Sequence, residues 1–220
     1  MEPQKLALNL PKIYPITDTR ISGLSHLEQV KLLVEGGARI IQLREKYASS
    51  QDFYYDAKAA VDLARSIGVA ILINDRVDIA IAVKADGVHL GQDDLPPEEA
   101  RKLLGDRAII GYSTHSLDQV REAISMPIDY LAFGPVFHTS TKDDPDEVVG
   151  VEELNNIRNS IGSMPLVAIG GIDAERVVSV WNAGADSAAM IGAILSDPTK
   201  ITDTYRDLSS RQADIVHNNV

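Results

Sequence analysis

AILINDRVDIAIAVKADGVHLGQDD, residues 70–94, is the stretch that decides the fold. It opens on an apolar run at 70–73 and turns through Asn74, Asp75 and Arg76. A very short helical stretch follows at 77–83, then a second apolar run at 87–90 that ends in Gln92, Asp93 and Asp94. Both runs are continuously apolar instead of alternating, as parallel strands buried on both faces are. Strand, helix and strand again is a βαβ unit, the building block of parallel sheets.

The same grammar extends in both directions. Further apolar runs lie at 13–17, 40–43, 109–112, 130–133, 166–169 and 187–191. Between them come helical stripes: Leu27, Val30, Leu33 and Val34; Phe53, Ala57, Ala60, Val61 and Ala64; Leu117, Val120, Ala123 and Ile124; Val177, Val180 and Trp181. Ser116, Asp173 and the Pro96–Pro97 pair with Glu98 and Glu99 are helix-starting signals. Gly36–Gly37, Gly68 and Gly184 sit where helices should stop. Eight units in 220 residues leave about 27 residues each, which favours an α/β (β/α)₈ TIM barrel over a doubly wound open sheet. The expectation is a single barrel domain over 1–220, closed by a helix at 203–214, with short flexible tails at both ends.

Composition narrows the function. Apolar residues make up 45% of the chain, a globular value, and there is no cysteine to build a disulfide or thiolate metal site. The absence of cysteine fits the cytoplasm, and the first residues lack the basic and apolar segments of a secretory signal. No apolar run approaches membrane-spanning length. A net charge of −11 argues against nucleic acid and anionic membranes as partners. A homo-oligomer remains open.

In a (β/α)₈ barrel the active site lies at the C-terminal ends of the strands. Here those ends carry Gln42, Arg44 and Lys46, then Asn74 and Asp75, then Asp93 and Asp94, then Ser113, Thr114 and His115. Asp75 and Asp94 follow neighbouring strands, so the two can share a divalent ion whose octahedron is completed by diphosphate and water. Asp93 competes with Asp94 for that place, and Asp75 can instead pair with Arg76 or Arg44. Arg44, Lys46 and Lys142 can neutralise a diphosphate; the structural alternative for Arg44 is a pair with Asp75 or Glu45. Gly170–Gly171 and Gly192 follow the last two strands, where many barrels bind phosphate through backbone amides; tight turns are the alternative. Residues 134–150, GPVFHTSTKDDPDEVVG, form a long connection without helical period, as a functional lid has. The residues alone reach a barrel with two anion sites and a divalent metal, but no reaction.

Several stretches together resemble the thiamine phosphate synthase family, and the likeness covers essentially the whole chain. They are PITD (15–18), QLREK (42–46), INDR (73–76), ADGVHLGQDDLP (85–96), IGYSTHS (110–116), FGPVFHTSTKDD (133–144), AIGGI (168–172) and GADSAAMIGAI (184–194). The resemblance implies that an aminopyrimidine diphosphate and a thiazole phosphate are joined, with Mg²⁺ as cofactor and diphosphate released. It implies that Gln42, Arg44, Lys46, Asn74, Ser113 and Lys142 hold the pyrimidine diphosphate, and that Leu43 and Glu45 of the same stretch are substrate-binding as well. Asp75 and Asp94 would hold Mg²⁺. Thr139, Ser140 and Thr141, the Gly171 backbone and the Ile191–Gly192 backbone would hold the thiazole phosphate. Arg44, Lys46, Lys142 and Ser113 are the implied catalytic set, acting on the departing diphosphate and its pyrimidine. One departure stands out: the family commonly has Ser where this chain has Gly192, so a hydroxyl donor to phosphate is missing.

Three rival readings differ at the site. A thiazole tautomerase of the same superfamily would use His115 as acid or base and has no need of Asn74, Asp75, Asp94 and Lys142. A non-catalytic barrel that binds a thiamine precursor would keep the site without turnover. A tryptophan-pathway isomerase would leave the paired acids unexplained.

Overall fold

The computed structural model describes residues 8–139 and 147–212. Its strands are β1 (Ile13–Thr17), β2 (Ile40–Leu43), β3 (Ala70–Asn74), β4 (Gly87–Leu90), β5 (Ile109–Thr114), β6 (Tyr130–Phe133), β7 (Leu166–Ile169) and β8 (Ser187–Met190). Ten helices accompany them among the described residues. α1 (Thr19–Ser22) and α2 (His26–Glu35) follow β1, α3 (Ser50–Ser66) follows β2, and α4 (Val77–Val83) follows β3. α5 (Pro97–Leu104), α6 (Leu117–Ala123), α7 (Gly150–Ser160) and α8 (Val177–Asn182) follow the next four strands. α9 (Gly192–Leu195) and α10 (Ile201–Ser210) close the order. All eight strands are parallel, each pairs with the next, and β1 pairs with β8, so the sheet closes. The expected TIM barrel is the observed one.

Side chains two apart along a strand share a face, and the barrel uses both faces. Tyr14, Ile16, Ile40, Leu72, Tyr130, Ala132, Val167 and Ala189 form one buried cluster, the barrel interior. The alternate positions, among them Ile13, Ile41, Leu43, Ile73, Val88, Leu90, Leu131 and Leu166, join the helices in the larger core. This two-sided burial is why the strands read as unbroken apolar runs. Inside, Gly111 makes room for Tyr130: a Cβ there would lie 2.0 Å from the tyrosine ring.

The helix stripes on α3 and α8 bury the residues expected of them. On α2 the buried face includes His26 and Gln29, polar residues that the apolar stripe passes over. His26 Nδ1 lies 2.7 Å from Thr17 Oγ1, and Gln29 accepts from the Asp18 amide. On α6, Ile124 is exposed instead of buried. Strand β5 runs two residues past the apolar stretch, because Ser113 and Thr114 continue the ladder with Ala132 and Phe133. Strand β8 stops at Met190, and Ile191 becomes the N-cap of α9. The closing helix starts at Ile201, two residues earlier than expected. The tails, 1–7 and 213–220, lie outside the described residues. No helix among the described residues is long and apolar enough to cross a membrane.

Candidate active site

The C-terminal ends of the strands enclose a cavity of about 1070 Å³. The inward register that fills the barrel also delivers the site. It carries Gln42 and Arg44 from β2, Asn74 from β3, His89 from β4, Ser113 from β5, Gly171 from beyond β7 and Ile191 from beyond β8 to the cavity wall. Lys46, Asp75, Asp93, Asp94, His115, Thr139 and Gly192 line it as well. Leu43 has the opposite parity: it is fully buried in the outer core and its side chain does not reach the cavity. Glu45 also turns away. It accepts from Thr19 Oγ1 at 2.8 Å, from the Tyr47 amide at 2.8 Å and from the Ala48 amide at 3.1 Å. The His26 ring beside it, aided by these donors, holds its carboxyl well below the usual carboxylate range. Glu45 thus ties down the loop that presents Arg44 and Lys46. Ser140, Thr141 and Lys142 lie outside the described residues.

Acids and cations meet on one side of the mouth. Lys46 Nζ donates to Asp75 Oδ2, so the partner of Asp75 is Lys46 and neither Arg76 nor Arg44. Arg76 pairs with Asp78 at 2.6 Å. Arg44 pairs with Asp18, the residue after β1, and not with Asp75 or Glu45. Asp94 accepts from the Gly91 amide at 2.7 Å. Burial raises its pKa, and the adjacent Asp75 carboxyl raises it further, against the Gly91 donor and Lys46. Asp75 has a φ of +62°, and its amide donates to the His89 carbonyl at 2.8 Å. Such backbone costs on the order of 1–3 kcal/mol and collects at functional sites. The Asp75 carboxyl lies close enough to Asp94 to interact with it. Two carboxylates crowded together in this way suit a divalent cation. Among the described residues no group of three or more His, Asp or Glu side chains stands ready to hold a metal, so an ion here would take its remaining oxygens from substrate and water.

The glycine turns stand on another part of the wall. Gly171 has φ +60°, and a Cβ there would lie 2.3 Å from the His138 carbonyl, so no other residue fits. Gly192 and Ala193 open α9, and first-turn amides have no acceptor within their own helix. A glycine turn after strand seven beside a short helix after strand eight is the arrangement that binds phosphate in many barrels. Gly192 itself is outside the left-handed region, and a Cβ on it would meet only Ser196 Oγ at 3.7 Å. His115 Nδ1 lies 2.6 Å from the Gly134 carbonyl, and the following Ser116 caps α6 as its sequence position suggested.

Beneath the floor runs a buried polar chain. Ser113 Oγ lies 2.8 Å from His89 Nε2, and His89 Nδ1 lies 2.9 Å from Tyr130 Oη. Tyr130 Oη lies 3.1 Å from Tyr14 Oη, which accepts from Gln42 Nε2 at 3.2 Å. Burial pushes His89 down to about 4, which leaves the imidazole neutral. His89 lies within β4 and not after it, so the strand-end pattern passes over it, whereas Asp18 directly follows β1 and belongs to the strand-end set. Parity would have found His89, two residues before Gly91 and in step with Gly87.

A closed (β/α)₈ barrel with a glycine rim after strands seven and eight and a cation–carboxylate cluster in one cavity defines the class: a barrel whose site suits phosphorylated small molecules. A family model described as thiamine monophosphate synthase matches residues 13–194. The chain belongs to that family, a family of transferases. It is 48% identical over 184 residues to the thiamine-phosphate synthase of Syntrophomonas wolfei subsp. wolfei, covering 83% of this chain and 88% of that one. Its identity to the thiamine-phosphate synthase of Chloroflexus aurantiacus is 42% over 186 residues, 84% of this chain and 85% of that one. Among solved structures, thiamine phosphate pyrophosphorylase from Pyrococcus furiosus superimposes with a TM-score of 0.80 at 38% identity, covering 92% of this chain and 97% of that one.

Proposed function

We propose that this chain makes thiamine phosphate from 4-amino-2-methyl-5-hydroxymethylpyrimidine diphosphate and 4-methyl-5-hydroxyethylthiazole phosphate, as one barrel domain working in the cytoplasm. The observation that carries this reading is the single cavity that holds the Lys46–Asp75–Asp94 cluster together with the Gly171 and Gly192 turns. Two anionic groups can be bound there at once, and the family identity supports the pairing.

The reaction breaks the bond between the pyrimidine's exocyclic carbon and the diphosphate oxygen, and diphosphate leaves with the electron pair. The thiazole nitrogen then supplies the pair for the new carbon–nitrogen bond. Diphosphate leaves readily only when its growing charge is met. Arg44 and Lys46 supply positive charge from β2 and its loop, and Lys142 is assigned to the same task. Asp75 and Asp94 would hold Mg²⁺, which when bound would neutralise diphosphate charge as a Lewis acid. Gln42, Asn74 and Ser113 orient the pyrimidine. Thr139, Ser140, Thr141 and the Gly171, Ile191 and Gly192 backbone bind the thiazole phosphate. No side-chain nucleophile is needed; the enzyme's work is charge stabilisation and holding two reactants in one orientation.

The test is turnover of the purified protein with both substrates, with and without Mg²⁺. Thiamine phosphate and diphosphate should appear in equal amounts and only when the metal is present. Product from one substrate alone, or none from both, would refute the reading.

A further inference from the structure

The polar chain under the cavity floor joins two residues of the proposed pyrimidine site that lie on strands far apart around the barrel. At one end is Gln42 on β2, and at the other is Ser113 on β5; His89, Tyr130 and Tyr14 connect them through the barrel interior. The linking tyrosines are fully buried, at 1% and 0% exposure, and His89 is 6% exposed. Neither tyrosine lines the cavity, so neither can touch substrate. A polar chain in an otherwise apolar barrel interior needs a reason, because each of its groups must find a partner or lose hydrogen-bond energy.

Each hydroxyl has one proton to give, and a common direction is the arrangement in which every buried proton of the chain finds an acceptor. Gln42 donates from Nε2 to the Tyr14 oxygen. Tyr14 therefore donates its own proton onward to Tyr130 Oη, and Tyr130 to His89 Nδ1. An imidazole whose Nδ1 accepts from a hydroxyl has no proton there and carries its proton on Nε2. That N–H points at Ser113 Oγ, so the serine accepts from below and has its own proton free for the cavity. At the opposite end the Gln42 amide has turned its NH₂ toward Tyr14, which leaves its carbonyl oxygen for the cavity it lines. Reversing any one link reverses them all.

We infer that His89, Tyr130 and Tyr14 are positioning residues that set hydrogen-bond polarity, so that Gln42 faces the substrate as an acceptor and Ser113 as a donor. The ligand chemistry this selects is a heteroaromatic ring that carries an exocyclic amine, a donor for Gln42, and an unprotonated ring nitrogen, an acceptor for Ser113. The corresponding oxo ring, which carries a carbonyl in place of the amine and a ring N–H, presents the opposite pattern and is rejected because it leaves two buried groups unpaired. This deepens the proposed function and rests on it for the identity of the ring, but the direction of the chain does not.

Two measurements test it. Two-bond proton–nitrogen correlations on ¹⁵N-histidine-labelled, ligand-free protein report the tautomer of His89, with the signal assigned by its loss in His89→Gln. The Nε2–H tautomer is the result expected; an Nδ1–H tautomer would overturn the inference. Steady-state kinetics then compare the aminopyrimidine diphosphate with its oxo analogue. In Tyr130→Phe, which removes the middle link without changing shape, the preference in kcat/KM should fall about tenfold, as one lost oriented hydrogen bond implies. KM for the thiazole phosphate should stay within about twofold, which a general loss of structure would not allow. Tyr14→Phe should act in the same direction, and serves if Tyr130→Phe does not fold. An unchanged preference in a folded variant would refute the inference. Wild-type turnover is measured first: its absence would sink the proposed reaction, while the tautomer, read without substrate, would still decide the direction of the chain.

Discussion

The Arg44 guanidinium donates to the Asp18 carboxylate, tying the end of β2 to the residue that follows β1. Both side chains are largely buried, at 14% and 6% exposure. The same carboxylate caps α1, accepting from the Arg20 and Ile21 amides at 3.0 and 3.2 Å. Asp18 thus fixes the direction in which Arg44 presents its remaining donors. Removing one partner of such a pair leaves the other charge buried without an answer. We predict that Asp18→Asn, which keeps one oxygen to cap α1, lowers kcat/KM for the pyrimidine diphosphate about tenfold. It should cost roughly 1–3 kcal/mol in urea unfolding. Wild-type kinetics in a protein with that stability loss would show that Asp18 serves the helix and not the arginine.

Asp75→Ala and Asp94→Ala should abolish Mg²⁺-dependent turnover with the barrel intact by circular dichroism. Isothermal titration with Mg²⁺ and diphosphate provides a readout independent of activity: either variant should lose the metal-dependent part of diphosphate binding. Asp93→Ala should be much milder, since Asp93 is exposed at the rim while Asp94 is tied to Gly91 and faces Asp75. Equal damage from Asp93→Ala would mean that the wrong acid of the pair carries the role.

Gly192→Ser should add a hydroxyl donor at the glycine rim that is assigned to the thiazole phosphate. Glycine is not required here for backbone reasons, because φ lies outside the left-handed region and the nearest atom to an added Cβ is Ser196 Oγ at 3.7 Å. A hydrogen bond to a charged phosphate is worth about 1.5–3 kcal/mol, part of which displaced water offsets. KM for the thiazole phosphate should fall by about two- to tenfold. The phosphate is remote from the forming bond, so the gain is shared by ground and transition states and kcat should stay nearly constant. Gly171→Ala is the contrasting case: with φ +60° and a Cβ 2.3 Å from the His138 carbonyl, it should lose both stability and phosphate binding. A Gly192→Ser protein that unfolds early and binds phosphate more weakly would contradict the assignment.

Burial holds His89 neutral, down to about 4 from its ordinary 6.5. Between those values the unfolded chain takes up a proton that the folded chain refuses, so acid favours unfolding there. The contribution is fully present above about pH 6.5 and is lost as pH falls toward 4. For this one group the loss between about pH 7.5 and 5 is about 2 kcal/mol. Urea unfolding at the two pH values should show it, and His89→Gln should remove that part of the difference. The same pH sensitivity in His89→Gln would assign it to other groups.

The fold was legible because its signal is local. Each strand of this barrel is buried on both faces, so each reads as an apolar run without reference to its neighbours. The α3 and α8 stripes were read from spacing alone for the same reason. On α2 the stripe found Val30 and Leu33 but passed over His26 and Gln29, which are buried for polar reasons, to serve Thr17 and Asp18. The site was legible as a set of positions, since the ends of the strands of a barrel converge wherever they lie in the chain. Within QLREK, however, apolar-run reasoning did not separate Leu43 and Glu45, which turn outward, from Gln42, Arg44 and Lys46, which line the cavity.

The sequence by itself determined the number of units, their order and the rim on which the polar residues gather, because these follow from periodicity and from the one way eight parallel strands close. Only the tertiary structure decided who pairs with whom. Arg44 meets Asp18 across 26 positions of sequence, Lys46 meets Asp75 across 29, and Tyr14 meets Tyr130 across 116. A hydrogen bond or ion pair depends on a few ångströms between side chains that closure of the barrel brings together, and no local pattern in a chain records a distance of that kind.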